Sequence, residues 1–545
     1  MEKATRQLTN QSSKSYVEEL VTTLDNGGPM IGPSMDTMQM DMEENYDRQD
    51  TLDQCEKGSS ASTVYNTEQY PEAATVPSEK ATATVATAAT KHHPWWSLKR
   101  NDQDTDPRTY SSLKKHTILF IVAIAGAMSP LASTIYFPAI VTMQYAFNTT
   151  DTAMNASLSI FTFFTAFFPL LWATFGDIFG RRRIYLISFL ISVVGSICCA
   201  LSVNASMFIV FRGFSAIGSS SVMSMGAGTL ADIFEPHERG RAFAWYTCGP
   251  LLGPALGPII GGYLNQGLGW RSNFWFLAIF AFCLWLAILF FLPETLRPEA
   301  LGPQKPPSVK EKQGKRWPWI NPIAALNLLR FPNIALTVTF VGMLFMVFYL
   351  DNTTFTRTYT NQYGLDSGTV GLCYLPLAVG SMIGGIAGGR MSDRVYNKRV
   401  AQAEGGVIHP EMRISGVLFA LALILQLCAF VAYGWCVQEN VHFAFGLICQ
   451  FFLGMALMLP NVTLSAYMVD CFRKKGASVT ACNNFARYIM AGIGSLVASD
   501  LEHAMGDGPL FTVCGVAMIV VSVNLIIVKR KAKEWGELRK SVADS

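Results

Sequence analysis

Charge is what this sequence has least of. Asp, Glu, Lys and Arg make up 15% of its 545 residues, against about 25% in a soluble globular protein, and the deficit lies beyond residue 116. Most of the chain therefore cannot present a solvent-facing surface. Metal-ligand spacing is missing too. None of the 12 cysteines forms a Cys-x-x-Cys pair or has His partners at such spacing, and most (Cys198, Cys199, Cys283, Cys428, Cys449) stand in apolar stretches, where a thiol is a small hydrophobe. No metal site, disulfide framework or cofactor is expected. The absence of a Gly-rich nucleotide loop means that ATP energy would have to come from another chain. No nucleophile–base constellation points to an enzyme. Nor does any carboxylate stand well inside an apolar run; Asp232, Asp351, Asp470 and Asp500 lie at edges.

What is present is hydrophobic length. Twelve apolar runs of about 20 residues, the length that crosses a bilayer, cover 117–138, 153–175, 184–203, 206–230, 242–264, 273–292, 333–351, 367–389, 412–434, 441–460, 476–499 and 508–528. A soluble helical protein would show amphipathic stripes instead. The expectation is an all-α polytopic membrane protein with twelve transmembrane helices in two six-helix halves, 117–292 and 333–528, joined by a central loop, 293–332. Residues 1–116 are polar and rich in Ser, Thr and Ala, so they cannot build a core and read as a disordered tail; Trp95 and Trp96 suit a membrane surface. Residues 529–545 read as a short C-terminal tail, and no cleavable leader is expected before the first run, which would itself act as the insertion signal.

Lys and Arg alternate between loops: Arg181 to Arg183, Arg239 and Arg241, the 305–316 stretch, Arg394 to Arg399, Arg473 to Lys475, and 529–533. The intervening loops are nearly bare, with Arg271 and Arg357 as exceptions. The positive-inside rule then puts both termini and the central loop in the cytoplasm. The bare loops face outward, among them the sequons at Asn148 and Asn352, both close to the membrane, where glycosylation has poor access.

The halves echo each other. ATFGDIFGRRR after run two matches GRMSDRVYNKR after run eight, with Asp177 on Asp393, and RGFSAIG from Arg212 matches QFFLGMA from Gln450. Such repeats mark secondary transporters that rock one half against the other around a central site. Run five carries GPLLGPALGPIIGG, with Gly249, Gly253, Gly257 and Gly261 on roughly one face and Pro250, Pro254 and Pro258 allowing it to bend. Small residues let membrane helices approach closely, so a tightly packed, bent helix is expected. Arg212 is an ionised group within a run, costly in lipid and hence functional by default, unless it snorkels from near the outer end. Arg487, with Asn483 and Asn484 beside it, either lines a cavity or bonds to run ten.

Over residues 110–530 the chain resembles the major facilitator superfamily, specifically its fungal twelve-span drug:proton antiporters. The resemblance is carried by SPLASTIYFPAI, GDIFGRRRIYL, FIVFRGFSAIGSS, AGTLADIFEPHERGRAF, GPLLGPALGPIIGGYL and FFLPETLRP, and is greatest to the quinidine-resistance and dityrosine-transporter branch. It implies that run five, through Gly262, is the antiporter signature and favours export. It implies that Arg212 serves proton coupling, for which Asp351 is the first choice of carboxylate. In Gly180-Arg181-Arg182, the basic residues could meet Asp232 or Glu235. The carboxylate matching Asp177 would dock on a helix start of the other half, here run eleven near Gly476, where the helix dipole favours it. The second copy keeps Asp393 and Arg394. The pattern departs at Ile178, where Arg or Lys is usual, and at Ala173, where Gly is; a weaker or rerouted charge relay follows.

A midplane cavity between the halves would draw on Ser129, Ser133, Thr134, Tyr136, Phe345, Phe348, Tyr349, Tyr374, Asn483 and Arg487, a lining suited to a flat organic molecule. One pH unit supplies about 1.4 kcal/mol per proton and 100 mV roughly 2.3 kcal/mol per charge. Exchange of one proton for one monocation is electroneutral and leaves only the first, so steep export favours a neutral or anionic cargo. The function expected is a monomeric plasma-membrane exporter of small organic compounds (drugs, polyamine-like or secondary metabolites) by proton antiport. A nutrient uniporter or symporter is the alternative, as is a transporter-derived sensor signalling through the N-terminal tail.

Overall fold

A computed structural model describes residues 107–296, 322–402, 409–472, 476–532 and 534–536. The tail with Trp95 and Trp96, most of the basic central loop and Arg473 to Lys475 lie outside the described residues. Among those described, the structure is helical without strands, in twelve long helices: α1 (Ser112–Phe147), α2 (Asp151–Phe179), α3 (Arg181–Ala200), α4 (Ala205–Ile233), α5 (Pro236–Leu268), α6 (Arg271–Phe291), α7 (Pro332–Gln362), α8 (Ser367–Gln402), α9 (Gly416–Gln438), α10 (Phe443–Cys471), α11 (Gly476–Met505) and α12 (Asp507–Arg530). Ten are long and apolar enough to cross a membrane unaided. The other two, α5 and α11, have the length, at 33 and 30 residues, but are diluted by Gly and Pro or by Asn, Ser and Arg. With twelve passes, α1 begins and α12 ends on one face, the termini face; the opposite one is the far face.

Local chemistry places the ends. Thr150 caps α2 by accepting the Ala153 N–H at 3.3 Å, and Asn204 caps α4 by accepting that of Met207 at 2.8 Å. Gly180, at φ +95°, makes the sharp turn from α2 into α3. Several spans break: near the far face α1 tightens to a 3-10 turn at Phe137–Ala139 and α8 is interrupted at Tyr374, while α4 is interrupted at Ser220, midway along its length. Discontinuous helices of this kind are tolerated in a membrane where they border a site.

The two six-helix groups are related by a repeated packing scheme: α1 lies along α5 as α7 lies along α11, and the halves meet where α2 packs on α11 and α5 on α8. Large apolar side chains such as Phe120, Leu190, Ile279, Leu421, Ile424 and Val520 point outward, as a lipid-facing surface requires. Two sequence expectations change here. Run seven does not stop at 351: the helix continues to Gln362, because Thr353, Thr354 and Thr358 return their hydroxyls to carbonyls four residues back and so remain compatible with a buried helix. Asn352 is therefore not in an outward loop but buried in α7, donating to the Phe348 carbonyl at 2.7 Å. Asn148 stays exposed in the α1–α2 turn.

Candidate functional site

Two polar centres lie at matching depths in the two halves. Arg212 stands seven residues after the start of α4 at Ala205, and Gln450 seven after the start of α10 at Phe443. Arg212 does not snorkel; it is 0% exposed, with Nη2 donating to the Ala132 carbonyl at 3.0 Å and the guanidinium lying over the rings of Tyr136 and Phe161 at 4.3 and 4.2 Å. Its Nε and Nη1 have no hydrogen-bond partner among the described residues. Ring faces and one carbonyl offset part of the desolvation of that cation. In the second half Gln450 Nε2 donates to Asp351 Oδ1 at 2.8 Å, and both are buried. Asp351 is thus not at a helix edge, and the sequence echo of Arg212 turns out to hold the carboxylate of α7. Gln450 Oε1 is left bare.

At the termini face, each half carries an acid–base–acid cluster. Arg181 Nε meets Asp232 Oδ2 at 2.6 Å and its Nη2 meets Asp177 at 3.3 Å. Among the described residues Asp177 makes no contact with the start of α11; its side chain is 60% exposed and turns back on Arg181 of its own segment. Arg182 is buried and donates to the Leu289 carbonyl at 2.8 Å, while Glu235 faces His237 at 3.4 Å. Glu294, from the FFLPETLRP stretch, caps the turn by accepting the Arg181 N–H at 2.9 Å, and a Cβ at Gly180 would strike it. In the second half the bridging cation is Arg413, at 2.5 Å from Asp393 and 2.9 Å from Asp470, and Arg394 is exposed. Arg413 was missed in the sequence because it lies twenty positions from Asp393, with no spacing to mark it. Asp232 and Asp470 each close a span, so the clusters correspond although the arginines come from different positions.

On α5, Gly249 and Gly261 back onto the carbonyl oxygens of Ala123 and Ile135, a Cβ at Gly253 would lie 3.0 Å from that of Ala127, and Gly257 faces Thr134 Oγ1. Pro250 packs on Gly126, Pro254 is exposed, and Pro258 is buried with its carbonyl against Gly371. Gly262 turns to the other half, its carbonyl accepting from Ser367 Oγ at 3.3 Å. The strip thus seats α5 on α1 along its length and on α8 at the far face.

Toward the middle, Ser133 Oγ and Tyr349 Oη meet across the halves at 3.4 Å, Phe348 packs edge-on against Tyr349, and Tyr488 Oη reaches Met223 Sδ at 3.8 Å. Arg487 lies half-buried over Phe345 at 4.5 Å. Asn483 is buried, its amide donating to Ser465 of α10 at 3.5 Å; of the two expectations for this patch, Asn483 follows the bond to run ten and Arg487 does not. Two expected cavity residues lie elsewhere. Tyr136 is enclosed beneath Arg212, with Oη at 3.1 Å from Ser157 Oγ. Tyr374 is buried at the far face, bonding Thr356 Oγ1 at 2.6 Å and the Asn352 carbonyl at 2.8 Å and stacking on Phe137. Both were drawn by ring chemistry toward buried acceptors, which composition alone does not reveal.

The far face bridges the halves. Arg357 pairs with Asp151, and its Nη2 donates to Asn155 Oδ1 at 3.0 Å; Asn155 Nδ2 donates to Ser499 at 2.9 Å, Thr152 to Asp500 at 3.0 Å, and His503 lies 3.5 Å from Asp151. Deeper, Ser159 donates to the Gly492 carbonyl at 2.7 Å. By contrast, the ion pairs described at the termini face join residues of the same half. Arg357 was visible in the sequence as an exception to the loop-charge rule, and this cross-half latch is its reason.

The family model described as Major Facilitator Superfamily matches residues 122–495. The MFS antiporter QDR3 of Candida albicans is 28% identical, with 79% of this chain and 80% of that protein covered. Dityrosine transporter 1 of Saccharomyces cerevisiae is 29% identical, with 79% and 83% covered. Among solved structures, a bacterial homologue of the human lysosomal transporter Spinster, in an inward-facing unoccupied conformation, aligns with a TM-score of 0.59 at 14% identity, over 79% of this chain and 98% of that one.

Proposed function

This chain belongs to the major facilitator superfamily, in the branch of the fungal drug:proton antiporters, and on that premise we propose that it exports small organic compounds in exchange for protons. The observation that carries the proton claim is Asp351, the buried carboxylate bonded to Gln450. A proton carrier must be able to exist in both states. A cation beside it would lock it ionised. A neutral amide instead donates to the carboxylate through Nε2 and can accept from the acid through the bare Oε1, so either state keeps a partner.

The rest of the cycle follows from the two faces. With both termini in the cytoplasm of a cell whose plasma membrane holds the protein, the far-face latch shuts the outside and the cavity opens inward. Cargo enters from the cytoplasm between the halves. Opening outward requires Arg357 to release Asp151 and Asn155, and requires the termini-face clusters to approach across the interface, where Asp177 can exchange Arg181 for the start of α11. Arg212 keeps a positive charge at the depth of Asp351 and favours proton release from it. The transporter works as a monomer, since both halves of the site lie in one chain.

The test uses inside-out vesicles with a pH dye in the lumen, an imposed acid-inside gradient, and drugs, secondary metabolites and organic acids added outside. Cargo-dependent alkalinisation of the lumen is expected, and is lost in Asp351→Asn. Movement of labelled cargo with no proton flux would replace antiport with facilitated diffusion.

A further inference from the structure

The substrate class can be argued from the charges left unanswered in the middle of the molecule. Arg212 is enclosed, its guanidinium covered by Tyr136 and Phe161. Asp351 is held by Gln450. Arg487 is different: it is half-buried, and among the described residues it makes neither a hydrogen bond nor an ion pair. Its contacts are the ring faces of Phe345 at 4.5 Å and Tyr488 at 5.2 Å. An aromatic ring offsets some of the cost of a desolvated cation but takes none of its N–H donors. Its Nε is buried and unpartnered, which costs free energy until an acceptor arrives.

The surroundings say what that acceptor belongs to. Tyr488 reaches α4 through Met223, and Tyr349, one turn beyond Phe345, reaches α1 through Ser133. Arg487 therefore lies where rings of the second half reach across to the first, beside apolar faces that suit a flat organic molecule. The mid-membrane charges described are two arginines and one carboxylate, so the region is cationic whether Asp351 is protonated or not. A cationic cargo would have to be desolvated next to Arg487 with the one carboxylate already bonded. An anionic cargo removes the deficit. A planar guanidinium with free donors is also the group that grips a carboxylate in two-point fashion, which an ammonium cannot.

We propose that the cargo is an organic anion, an aromatic ring bearing a carboxylate, and that Arg487 binds that carboxylate. The proposal rests on the export reading above for its direction, but its recognition step does not need proton coupling. Three probes of one shape separate the charges: N-acetyl-tyrosine, its neutral amide, and N-acetyl-tyramine extended by an ammonium group. Their dissociation constants are measured on the purified full chain by calorimetry, with thermal unfolding as the folding control for each variant. The carboxylate should bind at least tenfold tighter than the amide, about 1.4 kcal/mol, and the ammonium probe weaker still. Arg487→Gln should erase the carboxylate's advantage while leaving the amide within about threefold, and Arg487→Lys should keep part of it. Equal or preferred binding of the amide or the ammonium probe overturns the proposal, as does a carboxylate preference that survives Arg487→Gln, or no carboxylate binding at all. Charge-selective binding without proton-linked transport in vesicles would sink the antiport reading and leave this one standing.

Discussion

Asp351 and Arg212 differ in what a substitution removes. Asp351→Asn keeps the shape and the amide contact with Gln450 but cannot exchange a proton, so uphill export and cargo-linked proton flux should vanish while cargo–cargo exchange between equal compartments persists at near the original rate. Arg212→Lys loses the flat stacking on Tyr136 and Phe161 along with the fork that reaches the Ala132 carbonyl. It should fail nearly as badly as Arg212→Ala in proton-linked flux, although the charge is conserved. Both residues were legible as candidates from an ionisable group in or beside an apolar run. Their partners were not, because Gln450 and Ala132 are 99 and 80 positions away, and no spacing rule links residues on different helices.

Among the elements, α5 gives the sharpest test. Adding one methyl at Gly249 or Gly261 places it inside a backbone carbonyl of α1, which cannot move aside, whereas at Gly267 nothing lies within 4 Å. Overpacking of this kind costs about 1–3 kcal/mol. Gly249→Ala and Gly261→Ala should lower the thermal unfolding temperature of the purified protein and Gly267→Ala should not. A second element-scale device is the start of α8, where Asp366 accepts from Thr369 Oγ1 at 2.7 Å and from its N–H at 3.2 Å. Those bonds from the Thr369 hydroxyl and backbone hold the Asp366 carboxyl below its ordinary range. A depressed folded pKa means that its contribution is present above the unfolded value and lost as pH falls through the folded one. Asp366→Ala should therefore loosen the neighbouring Ser367–Gly262 contact at neutral pH and have little effect under acid conditions, as hydrogen exchange at the start of α8 would report.

At the scale of the whole molecule, the latch and the clusters are set against each other. Breaking a buried ion pair by removing one partner costs about 3–5 kcal/mol, and in a two-state transporter that cost falls on the state that contains it. Arg357→Gln should therefore shift the population toward an outward-open form. A spin-label or fluorophore pair on the far-face ends of α2 and α7 should lengthen in distance, and a pair on the termini face of α2 and α11 should shorten. Arg413→Ala should move the same distances little, since it joins Asp393 and Asp470 within one half.

Taken alone, the sequence determined the number of spans, the division into two halves, the glycine face of α5 and the position of Arg212. Each depends on a local quantity: twenty apolar residues, a motif repeated at the same place in each half, a small residue every fourth position, a charge where charge is expensive. The tertiary structure decided which groups pair. It moved Asp351 from a helix edge into the core, gave Asp393 an arginine from another segment, turned Tyr136 and Tyr374 away from the cavity, and made Arg357 a bridge between halves. A helix buried among other helices can carry Asn, Thr and Asp without losing its membrane span, because its neighbours supply the bonds that water would. That exchange of water for neighbouring helices is visible only once the helices are packed, which is why Asp351, Asn352 and Arg357 lay at or beyond the edge that hydropathy had marked for run seven.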